Sequence, residues 1–371
     1  MVNDAPRHAP SHRDFEDRAE ILSGPLDVRS VALTGLFLLA VFYTLYFART
    51  FLVPMVLAVL LTFLLSPLVR ALRRLWIPDA VAAALVLVSV LGAVGYGFYR
   101  LGTPAATWIA TAPESLRRVD SKLRAIRKPV EQVSKAAAQV ENLATVNGGS
   151  GPPPVEVKTS SLSDTILTQT QGILAGAAVM IIFLYFLLAS GDLFLRKLVR
   201  LLPTLADKKV AVEIARQIED HISRYLLTIT AINVGLGTTV AVAMWVIGMP
   251  NPVLWGVMVA IFNFVPYVGP LTSLIVLAMV GITTFDSLGQ AFIPPLVYFA
   301  IDALESNVLT PMVLGHRLAL NPVVIFIAVI FWGWLWGIVG ALLAVPMLAA
   351  FKIFCDAIEP LAPIGEFLGN Q

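Results

Sequence analysis

The feature that most restricts this chain is a series of apolar runs, each near the roughly 20 residues that a helix needs to cross the hydrocarbon of a bilayer. The runs lie at 31–48, 51–68, 80–101, 166–190, 228–248 and 321–351. With 58% hydrophobic and 13% charged residues in a chain of 371, too little polar side chain exists to cover a water-facing surface. Mean hydropathy is +0.82, so lipid is the expected solvent for most of the chain. Backbone polar groups at that depth must bond within their own segment, which predicts helices.

Between 253 and 310 the apolar runs shorten and prolines interrupt them, at Pro266, Pro270, Pro294, Pro295 and then Pro311. Membrane-depth breaks are tolerated only where protein or a water-filled cavity satisfies the freed backbone groups. The expectation is therefore an all-α polytopic protein of about eight membrane segments, some of them broken or re-entrant, with an extramembrane helical insertion. The organisation reads as a polar tail at 1–30, three spans in 31–102, an extramembrane helix with a linker in 103–165, and a fourth span in 166–200. An amphipathic helix at 201–227, a membrane core at 228–352 with its breaks at 253–311, and a C-terminal tail at 353–371 follow.

Basic flanks set the orientation. Arg70, Arg73 and Arg74 follow the second run, and Arg196, Lys197, Arg200, Lys208 and Lys209 follow the fourth, which marks those ends, and with them the N-terminus, as cytoplasmic. The mixed-charge tail lacks the pattern of a cleavable signal peptide. The segment 103–165 is also basic yet falls on the outer side, at a length where the charge rule fades. Within it Leu116, Val119, Leu123, Ile126, Val130, Val133, Ala137, Val140 and Ala144 alternate by three and four, a seam for packing on the same subunit or on another. Residues 147–154 read Asn-Gly-Gly-Ser-Gly-Pro-Pro-Pro, a linker. From 204 to 226, Val210, Ile214, Ile218, Ile222 and Leu226 recur four apart beside charged faces, as in an interfacial helix or an ordinary packing face.

Enzyme machinery is absent by motif: no metalloprotease zinc helix, nucleophile elbow or phosphate loop occurs. An ATP-driven pump, a cofactor and a catalytic role are therefore not expected. The histidines, His8, His12, His221 and His316, have no ligand spacing, so no metal site is expected, and Cys355 stands alone. A formal net charge of +2 gives no field for nucleic acid.

The chemistry-bearing groups lie in the broken region. Asp302 and Glu305, three apart on one helix face, sit beside an apolar stretch with Asn307 following. The run 291–301 is short enough to place both acids at headgroup depth, but intramembrane carboxylates mark pathways, and a cavity-facing position is the expectation. Asn263, Pro266, Gly269 and Pro270 form the second break, where missing donors and freed carbonyls can build a solute or ion site around an amide; a packing kink is the bland alternative. Gly333, Gly337 and Gly340 offer a small-residue face for helix packing in the last run.

Three stretches carry a resemblance to a known family: Asn263-Phe-Val-Pro-Tyr-Val-Gly-Pro270, Glu305-Ser-Asn-Val-Leu-Thr-Pro311 with Gly315 and Asn321-Pro322, and Gly337-Ile-Val-Gly-Ala-Leu-Leu-Ala-Val-Pro346. With Tyr225-Leu226 and Gly248-Met-Pro250, the chain over 200–352 resembles the autoinducer-2 exporter family. Members often carry Glu-Gly-Asn where this chain has Glu305-Ser306-Asn307. The resemblance implies a multi-pass, oligomeric inner-membrane protein that exports a small polar solute such as autoinducer-2. Driven by an ion gradient in the absence of a nucleotide motif, it would use Asn263, Pro266, Gly269, Pro270, Asp302, Glu305, Asn307 and Pro311 as the pathway. Alternatives are a sodium/proton antiporter using Glu305 and Asp302, with H+ or Na+ as the cargo, and a non-transporting membrane scaffold built on the two amphipathic helices. The bilayer itself and a second copy of the chain complete the expected partners.

Overall fold

A computed structural model describes residues 28–141, 162–191, 204–314 and 320–369, with Lys197. Regular structure among them is helical, apart from one isolated antiparallel bridge between Leu320 and Gly369. The polar tail to residue 27 and the linker at 147–154 lie outside the described residues.

Two compact units divide between Leu52 and Val53. The first holds α1 (Val28–Phe47) and the opening turn of α2 (Arg49–Arg73). Its hydrogen-bond ladder carries across Ala48, whose N–H donates to the Thr44 carbonyl at 2.8 Å while the Leu52 N–H donates to the Ala48 carbonyl at 2.8 Å. The Arg49 guanidinium lies 4.9 Å from the Tyr46 ring centre, a pairing suited to the end of an apolar helix where headgroups begin.

The second unit opens with the rest of α2, then α3 (Asp79–Glu141) and α4 (Leu162–Ser190). Ala58, Leu65 and Val69 of α2 close against Ala82, Ala83, Val86 and Leu87 of α3 and Leu184 and Leu188 of α4. At 1.5 Å per residue the 63 residues of α3 reach roughly 95 Å, so its backbone continues without a break far beyond a hydrocarbon layer. The seam expected at 116–144 falls where side chains are not described or, past residue 141, outside the described residues.

The amphipathic stretch and the following apolar run form one helix, α5 (Leu205–Ile247). Its polar half is tied to α2 by Arg70 and Glu219, paired at 2.6 Å. Its apolar half packs antiparallel on α6 (Pro252–Phe262) with backbones almost touching: a methyl on Gly237 would lie 2.6 Å from the Gly256 carbonyl oxygen. Only hydrogen at both positions permits that approach, the same small-residue logic that brings membrane helices together.

Two helical hairpins organise the remainder. The first is α6 with α7 (Val268–Thr284), reversing over 263–267. A short α8 (Leu288–Ala291) leads to α9 (Ile293–Leu304), whose Pro294 and Pro295 sit in its first turn, where a missing N–H costs nothing. The irregularity lies instead at its far end, a π-helical turn over Glu305–Leu309 before α10 (Thr310–Leu314). Pro311, lacking an N–H and crowding the carbonyl four residues back, sits just past that widened turn.

The second hairpin lies within the last apolar run, expected as one straight span. Over α11 (Pro322–Asp356) the chain doubles back at Gly337, which has φ 68° and ψ −151°. Gly340 then lies against the Trp332 carbonyl, and a methyl on Gly333 would sit 3.6 Å from Ala341. Residues eight apart along one helix cannot touch, so arms 322–336 and 338–356 run antiparallel. The first arm is about 22 Å long, short of the roughly 30 Å hydrocarbon. α12 (Ala362–Leu368) folds back on the base of this hairpin, where the Asn321 N–H donates to the Leu368 carbonyl at 3.0 Å.

Five helices among the described residues are long and apolar enough to cross a membrane, over Arg49–Arg73, Asp79–Thr111, Lys208–Ile247, Leu288–Val313 and Pro322–Asp356; the last meets that test by length and composition while folding back on itself. Large apolar side chains such as Phe37, Trp245 and Ile338 stand exposed, as lipid-facing residues do. The protein is an all-α, polytopic membrane protein.

Candidate functional site

The tip of the first hairpin is where apolar packing gives way. The Asn263 N–H still closes α6 on the Val259 carbonyl at 2.9 Å, but Tyr267 then adopts φ 64°, and the chain re-enters a helix at Val268. Gly269 passes so close to the Phe262 carbonyl that any side chain would collide with it. Pro266 and Pro270 bring no N–H to the turn, so its carbonyls outnumber its donors.

Polar side chains collect at this level from three further helices. Asn263 Nδ2 donates to Asn233 Oδ1 of α5 at 2.9 Å, and Asn233 is fully buried, 0% exposed. Ser273 of α7 is also fully buried and neighbours the Tyr298 hydroxyl of α9. That hydroxyl lies 3.4 Å from the Pro270 carbonyl and 3.3 Å from Asp302 Oδ1, and its one proton serves one of them at a time.

Asp302 is half-buried, and one turn on Glu305 is buried, 7% exposed, accepting a hydrogen bond from the Thr310 hydroxyl across the π-helical turn. No Lys or Arg occurs between Arg224 and Arg317, so the apolar stretches that run beside these carboxylates supply no counter-charge.

Apolar clusters close this polar layer on both sides. On one side Leu236, Val240 and Met244 of α5 pack with Trp255, Val259, Leu277, Val280 and the ring of Tyr298. On the other, Val265 of the first hairpin tip packs with Ala328, Val329, Ala344 and Val345 of the second hairpin, and Tyr225 of α5 joins them. Along α5 the order is Tyr225, then Thr230 and Asn233, then Leu236; along the first hairpin it is Val259, Asn263, Val265. The polar groups thus lie between two apolar plugs.

Of the residues expected from sequence, Asn263, Gly269, Pro270 and Asp302 come together here, with Glu305 one turn away. Pro266 lies at the tip, half-buried. Asn307 and Pro311 are exposed, and the Asn307 amide is used locally on the Ala303 carbonyl at 2.8 Å. Gly337 forms a reversal, and Gly333 and Gly340 pack across it. Asn233, Ser273 and Tyr298 were not expected. The signal for the first was a lone amide in the apolar run 228–248, which hydropathy averaging conceals.

Sequence comparison finds similarity to known proteins over most of the chain. A family model described as AI-2E family transporter matches residues 36–359. The chain is 24% identical over 307 residues to the AI-2 transport protein TqsA of Escherichia coli (strain K12), covering 83% of this chain and 86% of that one. It is 26% identical over 322 residues to YueF of Bacillus subtilis (strain 168), covering 83% and 84%.

Proposed function

This chain belongs to the AI-2E transporter family, and on that premise we propose that it exports a small polar solute of the autoinducer-2 kind, coupled to an ion gradient. The observation that carries the reading is the polar layer of Asn233, Asn263, Ser273, Tyr298 and Asp302 enclosed between two apolar plugs. A solute shut off from both sides needs only one plug to loosen at a time, which is the requirement of alternating access. The first hairpin contributes its arms to one closure and its tip to the other, where the second hairpin meets it.

Asp302 and Glu305 take up the coupling ion in this scheme. Carboxylates among apolar helices without a basic partner are costly, and a proton or a cation relieves that cost reversibly. The Pro270 carbonyl, the Tyr298 hydroxyl and Asp302 form an oxygen set next to a broken helix, which also favours a second reading, sodium/proton exchange.

Flux in vesicles containing the purified chain separates these readings. Autoinducer-2 movement driven by a proton gradient supports export, and sodium flux without the solute supports exchange. Glu305→Gln is expected to abolish the gradient dependence, and Asn263→Ala to weaken solute flux about tenfold, the value of one buried hydrogen bond. Gradient-driven flux in Glu305→Gln equal to that of the natural chain refutes the coupling role.

A further inference from the structure

The transport scheme leaves one set of atoms without a task. Thr230 Oγ1 and Asn233 Nδ2 are shut off from solvent and lack a hydrogen-bond partner, and Ser273 Oγ, equally buried, has only the Tyr298 hydroxyl beside it. Native proteins keep few such groups, because a buried donor without an acceptor forfeits its hydration and receives nothing back. Thr284 Oγ1 shares that condition but lies at the far end of α7.

The three atoms are grouped by the fold. Thr230 and Asn233 are three apart on α5 and share a face. Asn233 is one turn from Leu236 and Ser273 one turn from Leu277, and both leucines belong to the apolar cluster that includes Tyr298. Both side chains therefore flank the same end of one apolar plug. Asn233 already spends its oxygen on Asn263, so the group left over is the N–H2 donor.

Taking the transport reading as its basis, we propose that Asn233 is a specificity-determining contact: its free amide N–H donates to a hydroxyl or carbonyl oxygen of a neutral solute held in the polar layer, with the Thr230 and Ser273 hydroxyls completing the recognition. The chemistry selects the class. A donor repels a cation, and the absence of Lys and Arg from 225 to 316 leaves an anion without a counter-charge. Groups that both donate and accept match a compact, hydroxyl-bearing, uncharged molecule. Asp302 and Glu305, on a different helix, remain available for the ion.

The test uses the full chain in vesicles, with autoinducer-2 as the probe over a range of concentrations. Asn233→Ala is expected to raise the half-saturating concentration about tenfold, the loss of one buried hydrogen bond, with the maximal rate within about twofold. Thr230→Ala removes an unpaired hydroxyl and breaks no internal bond. It is expected to melt no lower than the natural chain while raising half-saturation severalfold, so it carries the test if Asn233→Ala fails to fold. Saturable flux in the natural chain with unchanged half-saturation in these variants overturns the assignment, and so does a fall in maximal rate alone. A natural chain that moves no autoinducer-2 overturns the transport reading beneath it, and this assignment with it.

Discussion

Gly337 shows how much one residue decides. Its φ of 68° with ψ of −151° lies where a Cβ meets the neighbouring carbonyls, so Gly337→Ala places a strained residue at the hairpin reversal. A loss of about 1–3 kcal/mol is expected, read as a lowered midpoint in detergent unfolding. Gly269 is constrained differently, by space: its missing side chain is where the Phe262 carbonyl sits. A residue there must push α6 from α7 and move Asn263 away from Asn233. Gly269→Val is therefore expected to lose flux even where folded protein is recovered, which size-exclusion alongside vesicle transport distinguishes.

At the scale of helices, the α5–α6 contact is a seam of backbone-to-backbone approach. Gly237 and Gly256 face each other's backbone, and Ala241 and Ala260 fill the positions one turn away. Gly256→Leu should prevent the two helices from closing and leave little monodisperse protein, seen directly in purification yield. The Arg70–Glu219 pair makes the opposite case. With side chains 50% and 27% exposed, it should contribute no more than about 1 kcal/mol, measured by a double-mutant cycle of Arg70→Ala and Glu219→Ala. Its short distance describes geometry rather than a large stabilisation.

For the whole molecule, the hairpins fix which loops share a side. The first hairpin enters and leaves at the same end, so Asn251 before α6 and Asp286 after α7 should lie on one side of the membrane, and Thr204 and Lys352 on the other. Single cysteines at these four positions, in a chain where Cys355 is replaced by Ser, should label in two pairs from opposite sides. Labelling of positions 251 and 286 from different sides would refute the hairpin. The membrane class, the helical content and the broken region at 253–311 were legible in the sequence, because run length, proline and glycine act locally on a backbone that lipid leaves no alternative to bond. So was the family, through residues clustered at the reversals. Only the tertiary structure decided that the last apolar run doubles back at Gly337, and that Asn233, Asn263, Ser273 and Tyr298, from four helical elements, meet in one polar layer. The physical reason is that hydropathy adds side chains along the chain, whereas which arm faces which depends on close approach across it. A glycine that bends a helix and one that lets two helices touch look the same in sequence.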